Sequence, residues 1–391
     1  MSLRQKILRE IHERGPIPFS RYLEMCLYDP DYGYYSRNAE QFGKAGDFYT
    51  SSDVHAVFGR LLARQFDEMW RVLGSPEQIE LLELGPGRGL FAQDVLDWSE
   101  KKFPVFFYAL RYSLLESSSA LRKRIRSTLL RHLESEKAKL VDNTGGRLGR
   151  EFGGSSQVPV PLPRTLPADV PLIIFANEFF DALPVEVLSA HGSLRIGAQE
   201  NSFVEEWTTA SPTELEFPDR YGIHPENGER TEVSLAMMDW AKRIAATIQT
   251  GFLIAIDYGY TRDEQLAGRH LDTIMTYREH SATPDPYHAP GEQDITVHVN
   301  FTALAAALES GGMETYKLRT QSQFLIGIGE NNQFADAFEE CSLPQEKAKV
   351  ALQLKHLVTP MGMGETFHVL VASKGVNREL VESLTGLSFG K

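Results

Sequence analysis

Positive charge is in short supply in this chain of 391 residues: 40 Lys and Arg face 53 Asp and Glu, for a net charge of −13. A general nucleic-acid binder needs a basic face, so that class of function is set aside. Cysteine is scarcer still, with only Cys26 and Cys341. They form no CxxC pair and no Cys/His cluster, so neither a structural zinc site nor a disulfide framework is indicated, and a reducing cytosol fits. His280, His288 and His298 lack metal-ligand spacing, and no metal is expected. No apolar run is long enough to span a bilayer, and Met1–Lys6 has no apolar stretch of the secretory-signal kind. Glu10 and Glu13 speak against an amphipathic import leader. No internal repeat or low-complexity segment is visible. The length suits one large elaborated domain or two to three smaller ones.

What the chain does have is an organising stretch, Ile79-Glu80-Leu81-Leu82-Glu83-Leu84-Gly85-Pro86-Gly87-Arg88-Gly89. An apolar run ends in an acid and three glycines, and an amphipathic segment follows. That pattern predicts strand, tight turn and helix, the first βα unit of an open α/β sheet. The glycines let the backbone turn sharply and let a ligand lie against the main chain. The helix behind brings unpaired N–H groups to the same point.

Before this stretch, apolar spacing predicts helices over Leu3–Arg14, Phe19–Leu27 and Val54–Leu73, with an aromatic loop at Tyr28–Tyr35. Ser51 or Ser52 is the expected cap of the third helix. After it come a strand over Val105–Leu115 that ends in Glu116, and a basic helix over Leu121–Lys139. Val170–Ala176 reads as a buried parallel strand ending in Asn177-Glu178-Phe179-Phe180-Asp181. Short antiparallel strands are expected between Val185 and Trp207, a helix over Leu235–Ile248, and a buried strand over Gly251–Ile256 that ends in Asp257. Thr273–Asn300 reads as a long functional loop. A helix over Phe301–Leu308 and strands over Met313–Arg319 and Thr366–Ser373 close the chain.

The glycine spacing selects the ligand class. Gly85, Gly87 and Gly89 form GxGxG, whereas the dinucleotide fingerprint needs its third glycine one place later, where this chain has Leu90. No GxxxxGK[ST] phosphate loop exists either. An NAD-dependent oxidoreductase is therefore disfavoured. Acid-x-GxGxG, here Glu83 to Gly89, is the form used for S-adenosylmethionine, a cofactor without phosphate. In that reading the turn and Glu83 hold the aminocarboxypropyl end. Glu116, at the end of the second strand, accepts the ribose hydroxyls. Asn177 stands where an open α/β sheet presents polar groups to ligands.

At these residues the chain resembles the MidA-like methyltransferases, which include a mitochondrial complex I assembly-factor arginine methyltransferase. The likeness is carried by Gly46-Asp47-Phe48-Tyr49-Thr50-Ser51, Glu83 to Gly89, Ala176-Asn177-Glu178-Phe179-Phe180-Asp181-Ala182-Leu183-Pro184-Val185 and Ile256-Asp257-Tyr258-Gly259. Pro290-Gly291-Glu292-Gln293-Asp294-Ile295-Thr296-Val297-His298-Val299 and Met361-Gly362-Met363-Gly364 extend it over nearly the whole chain. Ser52 stands where the family has proline, and Asn300 where it has aspartate.

The resemblance implies an α/β fold of the class I methyltransferase kind, Rossmann-like, with a seven-stranded, mostly parallel sheet. Residues 1–77 would be a helical N-terminal region at the cleft, 78–184 and 251–391 the two parts of the core, 185–250 an inserted subdomain, and 273–300 a substrate-side loop. It brings Asp47, Thr50 and Ser51 into donor binding. It implies S-adenosylmethionine as methyl donor, a protein arginine as acceptor, and a complex I subunit of the 49 kDa type as substrate. A bacterial, cytoplasmic relative of the mitochondrial proteins is expected, and a homodimer is left open. By placement, Asn177 would contact cofactor or target nitrogen, Glu178 and Asp181 would bind the guanidinium, and Phe179 or Phe180 would wall the site. Asp257 is a further candidate. Two alternatives stand beside this reading: a small-molecule methyltransferase, and a non-catalytic assembly chaperone that keeps the cofactor fold.

Overall fold

A computed structural model describes residues 2–37, 56–141, 169–268, 270–278 and 281–390. Its centre is strand β1 (Ile79–Leu84), with all six residues buried. Parallel neighbours flank it on both edges: β2 (Leu110–Leu115) with Glu83 opposite Leu114, and β4 (Leu172–Asn177) with Glu83 opposite Phe175. Outward from β2 lies β3 (Ala138–Leu140). Outward from β4 lies β5 (Gly251–Tyr260), whose Ile256 faces Asn177 in the register. The far edge is antiparallel. A β6 in two pieces (Glu314–Thr315 and Arg319–Thr320) pairs with β7 (Phe367–Lys374), which pairs with β5. The order β3-β2-β1-β4-β5-β7-β6 reverses at β1/β4, and β1 and β4 end side by side on one edge. Open α/β sheets bind their ligands at such a reversal.

The continuous apolar strands follow from burial on both faces. Alternate residues go to opposite layers. Leu81, Ile173, Phe175, Phe252 and Ile254 share one core with helices Ala56–Val72, Leu90–Lys102 and Gln321–Glu330. Leu82, Ile174, Ala176, Leu253 and Ala255 share another with helices Leu235–Thr247 and Phe301–Ser310. In the first core Phe91 stacks on Phe175 with ring centroids 4.4 Å apart.

A third core is built from distant pieces. Helices Leu3–Arg14 and Phe19–Tyr28 pack on an antiparallel sheet of Glu186–Ser189, Gly192–Gln199, Ser202–Thr208 and Thr231–Val233. The amino-terminal segment adds its own strand to that sheet, Ile17 pairing with Ile196. The first helix is held by a capping box between Ser2 and Gln5. Within residues 1–77, therefore, the segment up to Tyr35 and the helix Ala56–Val72 belong to different cores.

Several sequence expectations change. The run from Val105 is not one strand. Pro104 starts a helix, Pro104–Ala109, and only Leu110–Leu115 is extended. Proline at the first helical position pre-sets the turn, and Val105 and Tyr108 lie 68% and 80% exposed, as no buried strand would leave them. The basic helix is two helices, Ser119–Thr128 and Leu130–Glu134. Glu136 then turns at φ +57° and Ala138–Leu140 joins the sheet. The stretch 273–300 is not a bare loop. Met275–Arg278 pairs with Ser281–Thr283 on one side and Asp294–Thr296 on the other, and Val299–Asn300 pairs with the end of β5. Strand β5 itself runs on through Asp257 to Tyr260. Helix Pro344–Val358 was not foreseen.

Candidate active site

Gly85, Gly87 and Gly89 all take positive φ, at +64°, +53° and +76°. Each sits in the left-handed region that glycine alone enters without strain. A Cβ on Gly85 would lie 3.3 Å from the Phe179 ring, so the turn and the end of β4 touch here. A Cβ on Gly87 would meet nothing within 4 Å among the described residues. Gly85 N–H donates to Leu115 O at 3.1 Å, which ties the turn to β2. Gly89 begins the helix Leu90–Lys102.

Two carboxyls lie under this turn. Glu83 is buried in β1 and accepts the Tyr112 hydroxyl from β2 at 2.9 Å. Burial pushes its pKa up to about 8; the tyrosine opposes the rise and the charge of Glu116 adds to it. Glu116 is also buried and is pushed up to about 7, with main-chain N–H groups of Ser118, Ser117 and Gly87 pulling the other way. The Ser118 N–H donates to its Oε1 at 2.8 Å. Glu116 thus reaches the glycine turn itself, where sequence spacing alone could place it only at the end of β2.

Beside the turn, β4 ends in a strained corner. Glu178 holds φ +49°, costly for a side chain with a Cβ. The corner is over-determined by its neighbours. Glu178 N–H donates to Ile256 O at 2.9 Å. Asp257 Oδ2 accepts N–H from Phe179, Phe180 and Asp181 at 3.3, 3.0 and 3.3 Å, and its Oδ1 accepts the Tyr258 N–H at 3.0 Å. Burial and the nearby Asp181 and Glu178 charges push the Asp257 carboxyl well above the carboxylate range; the N–H groups restrain the rise. Asn177 Nδ2 donates to Glu178 Oε1 at 3.2 Å, and Asn177 Oδ1 is buried without a hydrogen-bond partner among the described residues. Phe179 packs edge-on against Phe180 and Trp240, at centroid distances of 5.3 and 5.1 Å.

Asp181 turns the other way from the corner. Its Oδ2 accepts the Tyr258 hydroxyl at 2.5 Å, and its Oδ1 has no hydrogen-bond partner among the described residues although the residue is buried. Burial lifts it to about 6, against the tyrosine and main-chain donors. Asn177, Glu178, Asp181 and Asp257 are therefore one cluster, adjacent to Gly85 through Phe179. Asp47, Thr50 and Ser51, together with the Ser52 cap, fall outside the described residues.

Sequence reasoning left Tyr258, Tyr112 and Asp294 without a role, and read the tyrosines of Tyr28–Tyr35 either as lining a ligand or peptide groove or as covering a core edge. Tyr258 had a signal, since it lies two residues beyond Ile256 in a run now seen to be one strand. The Tyr28 hydroxyl donates to Ala182 O, and the Tyr35 hydroxyl to Asp294 Oδ1, both at 2.8 Å. Nothing local in the sequence announces either contact. Among the described residues no group of three or more His, Cys, Asp or Glu could hold a metal ion, and no described helix is long and apolar enough to cross a membrane.

Comparison with known proteins bears on this arrangement. A family model described as "Putative S-adenosyl-L-methionine-dependent methyltransferase" matches residues 61–318. The mitochondrial protein arginine methyltransferase NDUFAF7 homolog of Drosophila melanogaster is 29% identical, over 96% of this chain and 85% of its own length. The Homo sapiens protein arginine methyltransferase NDUFAF7 is 27% identical, over 93% of this chain and 81% of its own. A Burkholderia thailandensis superfamily member crystallised with S-adenosylhomocysteine has a TM-score of 0.80 to this fold. It is 25% identical, and the match covers 99% of this chain and 94% of that one.

Proposed function

This chain belongs to the S-adenosyl-L-methionine-dependent methyltransferase family matched over residues 61–318, and on that premise we propose that it methylates arginine side chains of a protein acceptor. The observation that carries the acceptor assignment is the corner after β4. It holds Asn177 Oδ1 and Asp181 Oδ1, both buried and without a hydrogen-bond partner among the described residues, on either side of Phe179, which touches the glycine turn at Gly85. The names of the relatives point to the same acceptor. The resemblance to the MidA-like family supports the finer proposal of a complex I subunit of the 49 kDa type, methylated in a bacterial cytoplasm.

The cradle fits the donor. Gly87 leaves open space among the described residues where a side chain would stand, and Asn177, whose amide oxygen has no partner there, follows Ala176, the register partner of Leu84 just before the turn. Gly85, Gly87 and Gly89 would hold the amino-acid end, Glu116 the ribose hydroxyls, and Glu83 would support the turn from below through Tyr112. Asp47, Thr50 and Ser51 are assigned to the same donor site. When bound, the donor supplies an electrophilic methyl on a sulfonium, and the C–S electron pair stays with sulfur.

The protein's own work is alignment and proton handling. An arginine stays protonated near neutral pH, so its nitrogen must give the electron pair of the new N–C bond and lose one proton. Asn177 Oδ1 would accept from that nitrogen and fix its direction. Glu178 and Asp181 would pair with the guanidinium, and Asp181, lifted toward neutrality, would take the released proton at Oδ1. Phe179, packed between Gly85 and Trp240, would wall the site. Asp257 would position: both of its oxygens are engaged by main-chain N–H groups, and it holds the corner that aims the others.

Replacing Asn177 with Ala tests the reading. Affinity for S-adenosylhomocysteine would be read by calorimetry, and methylarginine by mass spectrometry on proteins from a strain lacking the gene. Transfer is expected to drop about a hundredfold, a cost typical of lost alignment, with donor-site affinity changed far less. Methylarginine formation at the wild-type rate would sink the assignment.

A further inference from the structure

The segment between β5 and the helix Phe301–Ser310 brings one more acid to the corner. Asp294 begins the strand Asp294–Thr296 and is fully buried. It is tied to the site by main chain and side chain alike. Three residues on, the Val297 N–H donates to Asp181 O at 2.9 Å. Tyr35 donates its hydroxyl to Asp294 Oδ1 at 2.8 Å, and the Tyr35 ring lies 5.5 Å from that of Tyr28. Tyr28 in turn donates to Ala182 O at 2.8 Å, the residue next to Asp181. Both tyrosines are partly buried, and both feel the two carboxylates. Burial, with Asp181 and Asp294 adding to it, pushes their hydroxyls well above the usual range. Tyr277, opposite Asp294 in the three-stranded sheet, lies in the same field.

Burying two carboxylates together is costly unless a cation or several donors meet them. Each already receives one tyrosine hydroxyl, Tyr258 on Asp181 and Tyr35 on Asp294. Asp181 makes no ion pair among the described residues, and its Oδ1, on a residue only 5% exposed, has no hydrogen-bond partner. That open acceptor is what a cationic donor would complete.

We propose that Asp294 and Asp181 form a two-carboxylate receptor for the guanidinium of the acceptor arginine, walled by Tyr28 and Tyr35, with Asp294 a binding residue for the acceptor. The inference rests on the arginine reading given above and adds the residues that recognise the side chain. A guanidinium is planar and offers five donors, so it can serve carboxylates on two elements at once; an ammonium is a point charge and serves them less well. The aromatic rings suit its flat, weakly hydrated faces.

The test is Asp294→Asn in the full chain, with Tyr35→Phe as a second variant. Tritiated methyl transfer from S-adenosyl-L-methionine to proteins extracted from a strain lacking the gene would be scored as methylarginine after hydrolysis. S-adenosylhomocysteine affinity and the melting temperature would be read alongside. The expected result for Asp294→Asn is at least a tenfold loss of methylarginine formation, with donor-product affinity within twofold of wild type. Tyr35→Phe is expected to raise the protein-acceptor KM three- to tenfold with kcat little changed. It decides the matter if the first variant does not fold. Wild-type transfer in the variant that folds overturns the receptor and leaves the arginine reading intact. Wild-type enzyme that forms no methylarginine, but does methylate another group, overturns both.

Discussion

Glu83 shows how a residue can be legible in type and opaque in state. Its acid-x-GxGxG position is readable, but its burial under Tyr112 and beside Glu116 depends on the neighbouring strand. In the unfolded chain its carboxyl returns toward the ordinary 4.5, whereas the folded protein holds it near 8. The native state therefore binds the proton more tightly. The stability this gives is complete below about pH 4.5 and fades as pH rises through 8. Without ligand, the melting temperature of wild type is expected to fall between pH 5 and pH 8.5. Glu83→Gln should flatten that fall by the equivalent of about 1–3 kcal/mol, and scanning calorimetry across pH would measure it. Glu116, near 7, leaves a residual slope in the variant. A variant as steep as wild type would show that Glu83 is ionised throughout. The same limit on legibility applies to Asp257. Its letter suggests an acid at a strand end, but only the register of β5 against β4 shows it serving three main-chain N–H groups.

Elements were legible where local signals agreed. The unit β1, glycine turn and helix Leu90–Lys102 was readable because burial on both faces demands an apolar run and positive φ demands glycine. The end of β4 at Asn177 was readable from its apolar run alone, whereas the positive φ of Glu178 had no glycine to announce it. Elements were misread where two local signals competed. Val105–Leu115 is apolar throughout, yet Pro104 commits its first half to helix. The pairs among Met275–Arg278, Ser281–Thr283 and Asp294–Thr296 are short, and only Asp294–Thr296 is buried throughout, by packing that no period of two over three residues can announce. The central layer makes its own prediction. Phe175, in β4, is fully buried and stacked on Phe91 from the first crossover helix. Phe175→Ala is expected to cost about 3–5 kcal/mol, read as a lowered urea midpoint with an unchanged slope. A loss below 1 kcal/mol would mean that the layer collapses around the cavity.

For the whole molecule, the fold class was written in the sequence, while the packing of the amino-terminal segment and of Asp294 onto the corner at Asp181 was not. The third core explains the difference. Leu3, Ile7, Phe19 and Tyr22 pack with Val185, Val187, Leu194, Ile196, Ile295 and Val297, contributions from three distant parts of the chain. Ser20 donates its hydroxyl to Glu186, and Ile17 adds a strand beside Ile196. Removing residues 1–37 would strip the apolar face of this sheet. The truncated protein is expected to aggregate on heating and to lose methyl transfer entirely. Wild type should melt in one calorimetric transition, because the strands of the large sheet join the first two cores and Glu186–Ser189 joins the second to the third through Leu188 and Val187. Two separated transitions, the lower one abolished by the truncation, would argue for an independently folding amino-terminal unit.

The hydrogen bond between Tyr35 and Asp294 spans 259 residues of chain. At a synthesis rate of about 5–20 residues per second, the tyrosine leaves the ribosome roughly 10–50 s before its acid partner exists. The glycine turn and Glu116 are also made before Asn177, Phe179 and Asp257, so the corner that touches the turn closes late, and the receptor proposed at Asp181 and Asp294 cannot form until synthesis has passed residue 294.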